Sequence, residues 1–300
     1  MPNINGPSAT TGRNSPTPRH LQIQIDRALA YGRPGVKPSL DELLRTLHLP
    51  AFRDAYEETA RTAVSENLSY EQFLWHLCDR ECLERFNHRT QRFLRESKLP
   101  LEKNWESFEM NRLPLTLRQQ VAGLRDGGFL DRCENVLAFG NPGSGKTHLL
   151  CALCQELAAS GRRVLYRPCS LLVQDLLAAK RDLTLSKFLK HLSLYEGLVI
   201  DDIGYVQQSR DEMEVLFTLL AERYERGSVL LTSNLAFSGW EAIFKDPMTA
   251  AAAIDRLVHH SVILELNLPS YRMDAAKART SGGNVHEPAS VTLRAQGQPE

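Results

Sequence analysis

The sequence predicts an α/β protein, a parallel sheet sandwiched by helices and preceded by a small all-helical domain. Three observations predict it. Gly140-Asn141-Pro142-Gly143-Ser144-Gly145-Lys146-Thr147 meets every fixed position of the phosphate-binding pattern G-x-x-x-x-G-K-[ST], between the apolar run Asn135 to Phe139 and the helix-forming stretch His148 to Ala159. Beyond it, short apolar runs alternate with helical stretches, the order from which parallel sheets are built. Ahead of it, from Ser39 to Lys98, apolar residues recur at helical spacing.

Composition bounds the function. A chain of 300 residues suggests two domains on a prior of about 150 residues each, and 42% hydrophobic residues can build a sizeable core. The 36 basic and 36 acidic residues cancel, so the whole molecule has no net attraction for nucleic acid or membrane, and any basic surface is local. No stretch reaches the roughly 18 apolar residues that span a bilayer. A cytoplasmic protein without membrane contact is expected. Cys78, Cys82, Cys133, Cys151, Cys154 and Cys169 lie in apolar runs and are expected as reduced thiols. Cys151-x-x-Cys154 has no second Cys or His pair at zinc-finger distance, so both read as packing residues; Cys78 and Cys82, one helical turn apart, read the same way.

In chain order, residues 1–38 are expected as a disordered tail, since Met1 to His20 is rich in Pro, Ser, Thr, Gly and Asn and carries no acidic residue. Arg13 and Arg19 give it a faint likeness to a transit peptide, which its prolines oppose. Residues 39–98 form the helical domain. Ser39 with Glu42 suggests a capping box before Leu40, Leu43, Leu44 and Leu47. A second helix follows Pro50 to about Val64. A third starts near Ser69, with a stripe of Tyr70, Phe73, Leu74, Leu77, Cys78 and Leu83. On it Arg85, His88, Arg89, Arg92 and Arg95 recur at three- and four-residue steps, with Phe86 and Phe93 read as the opposite side. Such a ridge suits DNA phosphates, with Arg85, Arg89 and Arg92 as candidate contacts. It suits equally a solvated face balanced by Glu84 and Glu96.

Residues 99–114 read as an extended linker whose Trp105, Phe108 and Leu113 pack on a neighbouring domain, and 115–272 as the nucleotide domain. Its helix Leu115 to Leu124 ends at Gly127-Gly128. In the loop, Gly143 and Gly145 let backbone N–H groups curl round a phosphate at a helix N-terminus. Lys146 would reach the β- and γ-phosphates of ATP, and the Thr147 hydroxyl would ligate Mg²⁺. Leu198-Val199-Ile200-Asp201-Asp202 is a strand ending in two carboxylates at the edge where such sheets bind ligands. Asp201 is placed to hold Mg²⁺, directly or through water, and Asp202 to orient or deprotonate an attacking water. Asn234, after the strand Val229 to Thr232, could donate to the γ-phosphate and accept from water, or merely form a turn.

GNPGSGKTHL, LVIDDIGY, LLTSNLAFSGW, AAAIDRLVHHS and PSYR, in that order, resemble the IstB group of AAA+ ATPases, helpers of insertion-sequence transposases and relatives of the helicase loader DnaC. LRTLHLP, SYEQFL and ERFNHRTQRFLRESKLP resemble that group's N-terminal region, so the likeness covers about residues 39–272. The resemblance implies an AAA+ P-loop sheet, with Gly140 to Thr147 as the Walker A loop and His148 beside it among the nucleotide contacts. It makes Asp201-Asp202 the Walker B pair and Asn234 the sensor 1 position. Arg256 matches the arginine finger and Arg272 the proposed sensor 2. Most AAA+ proteins have Glu where this chain has Asp202, shorter by one methylene, which implies slow hydrolysis. Residues 273–300 are too small and polar to form the usual AAA+ lid and read as a second disordered tail, leaving nucleotide clamped between subunits of an oligomer.

The function so implied is an ATPase that assembles on duplex DNA and delivers or remodels target DNA for a cognate transposase. The alternative is a DnaC-like loader acting on a replicative helicase. A small-molecule kinase shares the loop, but no separate substrate lid is visible.

Overall fold

The structure, a computed structural model, describes residues 38–203, 209–240, 247–271 and 273. Both expected tails lie almost wholly outside these residues, as does Arg272. The chain divides into two compact units after Arg85.

The first unit holds α1 (Leu40–Thr46), α2 (Pro50–Ser65) and the first half of α3 (Tyr70–Glu96). Ser39 and Glu42 form the expected capping box, each side chain satisfying a backbone N–H at the start of α1. α2 has no capping side chain of its own at Leu49. Its first amides are met instead by buried Glu81 of α3, which accepts from Ala51 N–H at 2.9 Å and Phe52 N–H at 3.3 Å. The expected apolar stripe of α3 is corrected here. Leu77 is buried and Phe73 half-buried, but Tyr70, Leu74, Cys78, Cys82 and Leu83 are exposed. Each residue turns a helix by about 100°, so Cys78 and Cys82 fall outside the narrow strip that two short helices can cover.

The second unit contains the end of α3, a turn-rich connection, α4 (Leu115–Leu124) and the single-turn α5 (Gly128–Asp131). Then come β1 (Asn135–Phe139), α6 (Lys146–Ala159), β2 (Val164–Pro168), α7 (Cys169–Arg181), α8 (Leu185–Leu192), β3 (Gly197–Asp201), α9 (Arg210–Arg223), β4 (Ser228–Ser233), α10 (Pro247–Val258) and β5 (Ser261–Glu265). The five strands are all parallel, in the order β2-β3-β4-β1-β5. Residues alternate between faces along each strand. Leu137, Phe139, Leu165, Leu198, Ile200, Val229 and Leu231 pack with α7 to α10. Val136, Ala138, Val164, Val199, Leu230 and Leu264 pack with α4 to α6. Both faces are covered, as the alternation of strands and helices predicted.

Residues 99–114 are folded in turns with a short 3₁₀ segment at Met110–Arg112, not extended as expected. The reason lies in their anchors. Leu113 is buried, and Trp105 donates its indole N–H to Glu156 of α6 at 2.8 Å, holding the segment close to that helix. Cys151 and Cys154 are buried packing residues as expected, Cys169 is buried as well, and burial pushes the Cys151 thiol up to about 12, so it stays protonated. At the far end of α9, the buried Arg223 guanidinium donates to the carbonyls of Leu192, Tyr195, Glu196 and Ser228, tying α8, β3 and β4 together.

Candidate functional site

The glycine loop joins β1 to α6 at the carboxyl end of the sheet. Gly140 and Gly143 are required there by two independent constraints. Their φ angles of 148° and 81° disfavour side chains. A Cβ at Gly140 would also lie 2.2 Å from the Leu266 carbonyl oxygen, and one at Gly143 would lie 2.1 Å from Ser270 Oγ. The segment after β5 therefore runs directly over the loop, and the Tyr271 N–H donates to the Gly143 carbonyl at 3.0 Å.

Lys146, only 6% exposed, donates from Nζ to the carbonyls of Gly140 at 2.8 Å and Asn141 at 2.9 Å, so its ammonium lies inside the loop's curl. Thr147 donates its hydroxyl to Asp201 Oδ1 at 2.7 Å, joining the start of α6 to the end of β3. Asp201 is itself 7% exposed and accepts two further hydroxyls. Thr232 of β4 donates to Oδ1 at 2.6 Å and Tyr166 of β2 to Oδ2 at 2.7 Å. Burial, then the bond to Asp201, push the Tyr166 phenol well above its ordinary value, so it remains a donor.

Asp202 leaves the strand in the left-handed region, φ 59°, and its N–H donates to Thr232 Oγ1 at 2.8 Å. Its backbone reversal turns the side chain out of the sheet, and it lines the same cavity as residues 142–148. The opposite wall is the connection before α4, including Lys103, Phe108 and Arg112, with Leu268 and Tyr271 closing the rim. His148 also lines the cavity; its ring lies edge-on to Phe108, and its Nε2 is 2.9 Å from the Asn104 carbonyl.

Two buried polar atoms in this region have no hydrogen-bond partner among the described residues: Ser144 Oγ in the loop and Asn234 Oδ1 just past β4. Unsatisfied buried acceptors and hydroxyls are costly and mark places where a bound group or water completes the set. A magnesium nucleotide fits these donors. The loop offers backbone N–H groups, an ammonium and a hydroxyl for phosphate, and Thr147 with Asp201 offers oxygen ligands of the type Mg²⁺ takes.

Asn234 and Arg256 do not line the cavity. Arg256 on α10 donates to the Ala252 carbonyl at 2.9 Å, and its guanidinium lies 4.7 Å from the Phe217 ring centroid. Arg85, Arg89 and Arg92 of α3 are exposed, yet each has a local engagement. In the first unit Arg85 pairs with Glu81 at 2.7 Å and donates to the His48 carbonyl at 2.6 Å. In the second, Arg89 lies over Phe86, and Arg92 over Phe93 with Glu96 at 3.8 Å. Phe86 and Phe93 therefore do not occupy the side opposite these arginines: at about 100° per residue Phe86 stands about 60° from Arg89 and Phe93 about 100° from Arg92, within reach of the long guanidinium stems.

Three contributions escaped the sequence reading: Tyr166, Thr232 and the cavity wall at residues 103–112. The aromatic pair Trp105 and Phe108 was the available signal for the wall. For Tyr166 the signal was its parity, since Tyr166 faces the same side of the sheet as Val199 and Asp201.

Comparison with known proteins gives a consistent result. The model of a family described as IstB-like ATP binding protein matches residues 42–279. An insertion-sequence ATP-binding protein of Sinorhizobium fredii is 38% identical over 235 residues, 78% of this chain and 79% of that protein. The insertion sequence IS21 ATP-binding protein of Pseudomonas aeruginosa is 36% identical over 78% of this chain and 88% of its own length. Among solved structures, the DnaC helicase loader is 18% identical, with a TM-score of 0.46 over 55% of this chain and 96% of that one.

Proposed function

Because the chain belongs to the family of IstB-like ATP binding proteins, we propose that it is an AAA+ ATPase that serves an insertion sequence. ATP bound in the glycine loop assembles copies of the chain on duplex DNA, and the assembly delivers or remodels target DNA for the cognate transposase. The single observation that carries the nucleotide part is the bond from Thr147 to Asp201, which joins the loop to the acidic end of β3 beside a buried lysine. The curated relatives reported above are insertion-sequence proteins, which supports transposition over helicase loading.

In this reading the loop amides and Lys146 hold the β- and γ-phosphates, and Thr147 and Asp201 hold Mg²⁺. Held there, Mg²⁺ would supply positive charge against the phosphate oxygens. Asp202, turned out of the strand, takes the proton of the water that attacks the γ-phosphorus while ADP leaves. Asn234 orients that water, its unpartnered Oδ1 accepting one hydrogen bond. Arg256 acts on the γ-phosphate of a neighbouring copy, in keeping with its position outside its own chain's cavity lining. Duplex DNA meets Arg85, Arg89 and Arg92, through phosphates rather than base edges.

Nucleotide titration and phosphate release test the reading. Lys146→Ala is expected to abolish ATP binding, because it removes the cation the loop supplies. Asp202→Asn is expected to keep binding and lose turnover. Binding by Lys146→Ala at the wild-type level would remove the basis for the site.

A further inference from the structure

We propose that Tyr166 is a positioning residue that links the metal–nucleotide site to the end of helix α3. The proposal rests on the nucleotide reading above and extends it to a residue outside every motif. Tyr166 sits on β2, the edge strand, directly opposite Val199 of β3 in the parallel register. Asp201 is two residues further along β3, on the same face, so the phenol reaches it diagonally, a span that long side chains bridge between neighbouring strands. The bond to Oδ2 at 2.7 Å fills the oxygen that neither Thr147 nor Thr232 contacts. With both oxygens held, the carboxylate cannot rotate about its last torsion without breaking a hydrogen bond.

The backbone of the same residue faces the other way. An edge strand leaves N–H groups unpaired by any further strand. That of Tyr166 donates instead to the carbonyl of buried Ser97, at 2.7 Å, immediately after α3 ends. The last turns of α3 are fastened round the start of β2 by Arg163, which pairs with Glu96 at 3.0 Å and lies over the Phe93 and Tyr195 rings. Gly161, just before β2, would bring a Cβ within 3.3 Å of the Phe86 ring. One residue thus bonds the metal-side carboxylate with its side chain and the end of the arginine-bearing helix with its backbone. When Mg²⁺ and nucleotide draw on Asp201, the change in its hydroxyl partners is transmitted through Tyr166 to Ser97. Nucleotide state would in this way reach the helix that carries Arg89 and Arg92.

Tyr166→Phe removes the hydroxyl and keeps the ring. Two quantities are read on the full chain with a non-hydrolysable ATP analogue: its affinity with and without MgCl₂, and amide hydrogen exchange at residues 86–97 and 166 before and after the analogue is added. Metal-free affinity should match wild type, which also shows that the variant folds. The gain in affinity on adding MgCl₂ should fall about tenfold, the scale of one hydrogen bond to a charged group. The slowing of exchange at 86–97 that Mg²⁺ and analogue produce in wild type should disappear. Either signature left at its wild-type size overturns the proposal. If wild type binds no analogue, the nucleotide reading itself fails. If wild type binds, Lys146→Ala does not, and Tyr166→Phe behaves as wild type, only the role of Tyr166 fails.

Discussion

Thr232→Val should destabilise the protein and slow ATP hydrolysis, whereas Thr232→Ser should do neither to a comparable extent. Thr232 is fully buried on β4, and its hydroxyl is used twice. It donates to Asp201 Oδ1 at 2.6 Å and accepts from the Asp202 N–H at 2.8 Å. Valine has the same shape, so packing is kept and only the hydroxyl's bonds are lost. A hydrogen bond to a charged group contributes about 1.5–3 kcal/mol, and the bond from the part-buried Asp202 N–H about 0.5–1.5 kcal/mol. The two losses share one atom and do not add fully, which sets the expected cost at about 3 kcal/mol. That is a large part of a typical stability of about 5–15 kcal/mol. It also removes the acceptor that holds the Asp202 backbone at φ 59°, so the carboxylate assigned to the attacking water loses its fixed position. Urea unfolding followed by circular dichroism gives the first quantity and phosphate release the second. Serine keeps the hydroxyl and forfeits one methyl group. A valine variant within about 0.5 kcal/mol of the serine variant would refute the double role of that oxygen, since differences that small are usual for substitutions that break no such bond.

Changing Arg85, Arg89 and Arg92 together to Glu should weaken duplex-DNA binding and flatten its salt dependence, with nucleotide binding retained; unchanged affinity across a salt series would make α3 a solvated face only. Because Arg85 also pairs with Glu81 and bonds the His48 carbonyl, Arg89→Glu with Arg92→Glu is the companion variant that leaves the first unit's packing intact. Arg256→Ala should lower ATP turnover by about 10³ or more if the residue is a finger. Mixed with Lys146→Ala, it should recover some of that activity in joint oligomers, since one chain then supplies the loop and the other the arginine; demonstrated co-assembly without recovery would confine Arg256 to its contacts with Ala252 and Phe217.

What the sequence made legible was what its local pattern encodes. The bounds of β1 and α4 were read to the residue, because the glycine loop fixes where β1 must stop and Gly127-Gly128 where α4 must stop. The capping box at Ser39 was legible for the same reason: both partners lie within four residues. Misread features depend on neighbours distant in the chain. Cys78 and Cys82 look like core residues on a helical wheel, and their exposure follows from how little of α3 the two short helices of the first unit cover. Residues 99–114, bounded by Pro100 and Pro114, read as an extended link packed through Trp105, Phe108 and Leu113, yet Glu156, some fifty residues later, holds Trp105 and so decides their path.

Asp201 shows most clearly where the limit falls. A motif reading names it from the apolar strand before it and the loop before that, but not the hydroxyls that surround it. A carboxylate that is 7% exposed needs donors for both oxygens, and backbone N–H groups at a strand's end are committed to the sheet. Its donors must then come from side chains on the elements flanking β3, on the same face: β2 on one side, β4 on the other, and the start of α6 above. Those three positions are filled by Tyr166, Thr232 and Thr147, all hydroxyl residues. Of the three, only Thr147 belongs to a pattern with fixed spacing. The other two are set by strand order and register, here β2-β3-β4 in parallel, which sequence alternation suggests as a class without specifying which residue stands beside which. A buried acid at a strand end therefore carries a prediction of its own once the order of strands is known: the neighbouring strands should present Ser, Thr or Tyr within two residues of it, on its face of the sheet.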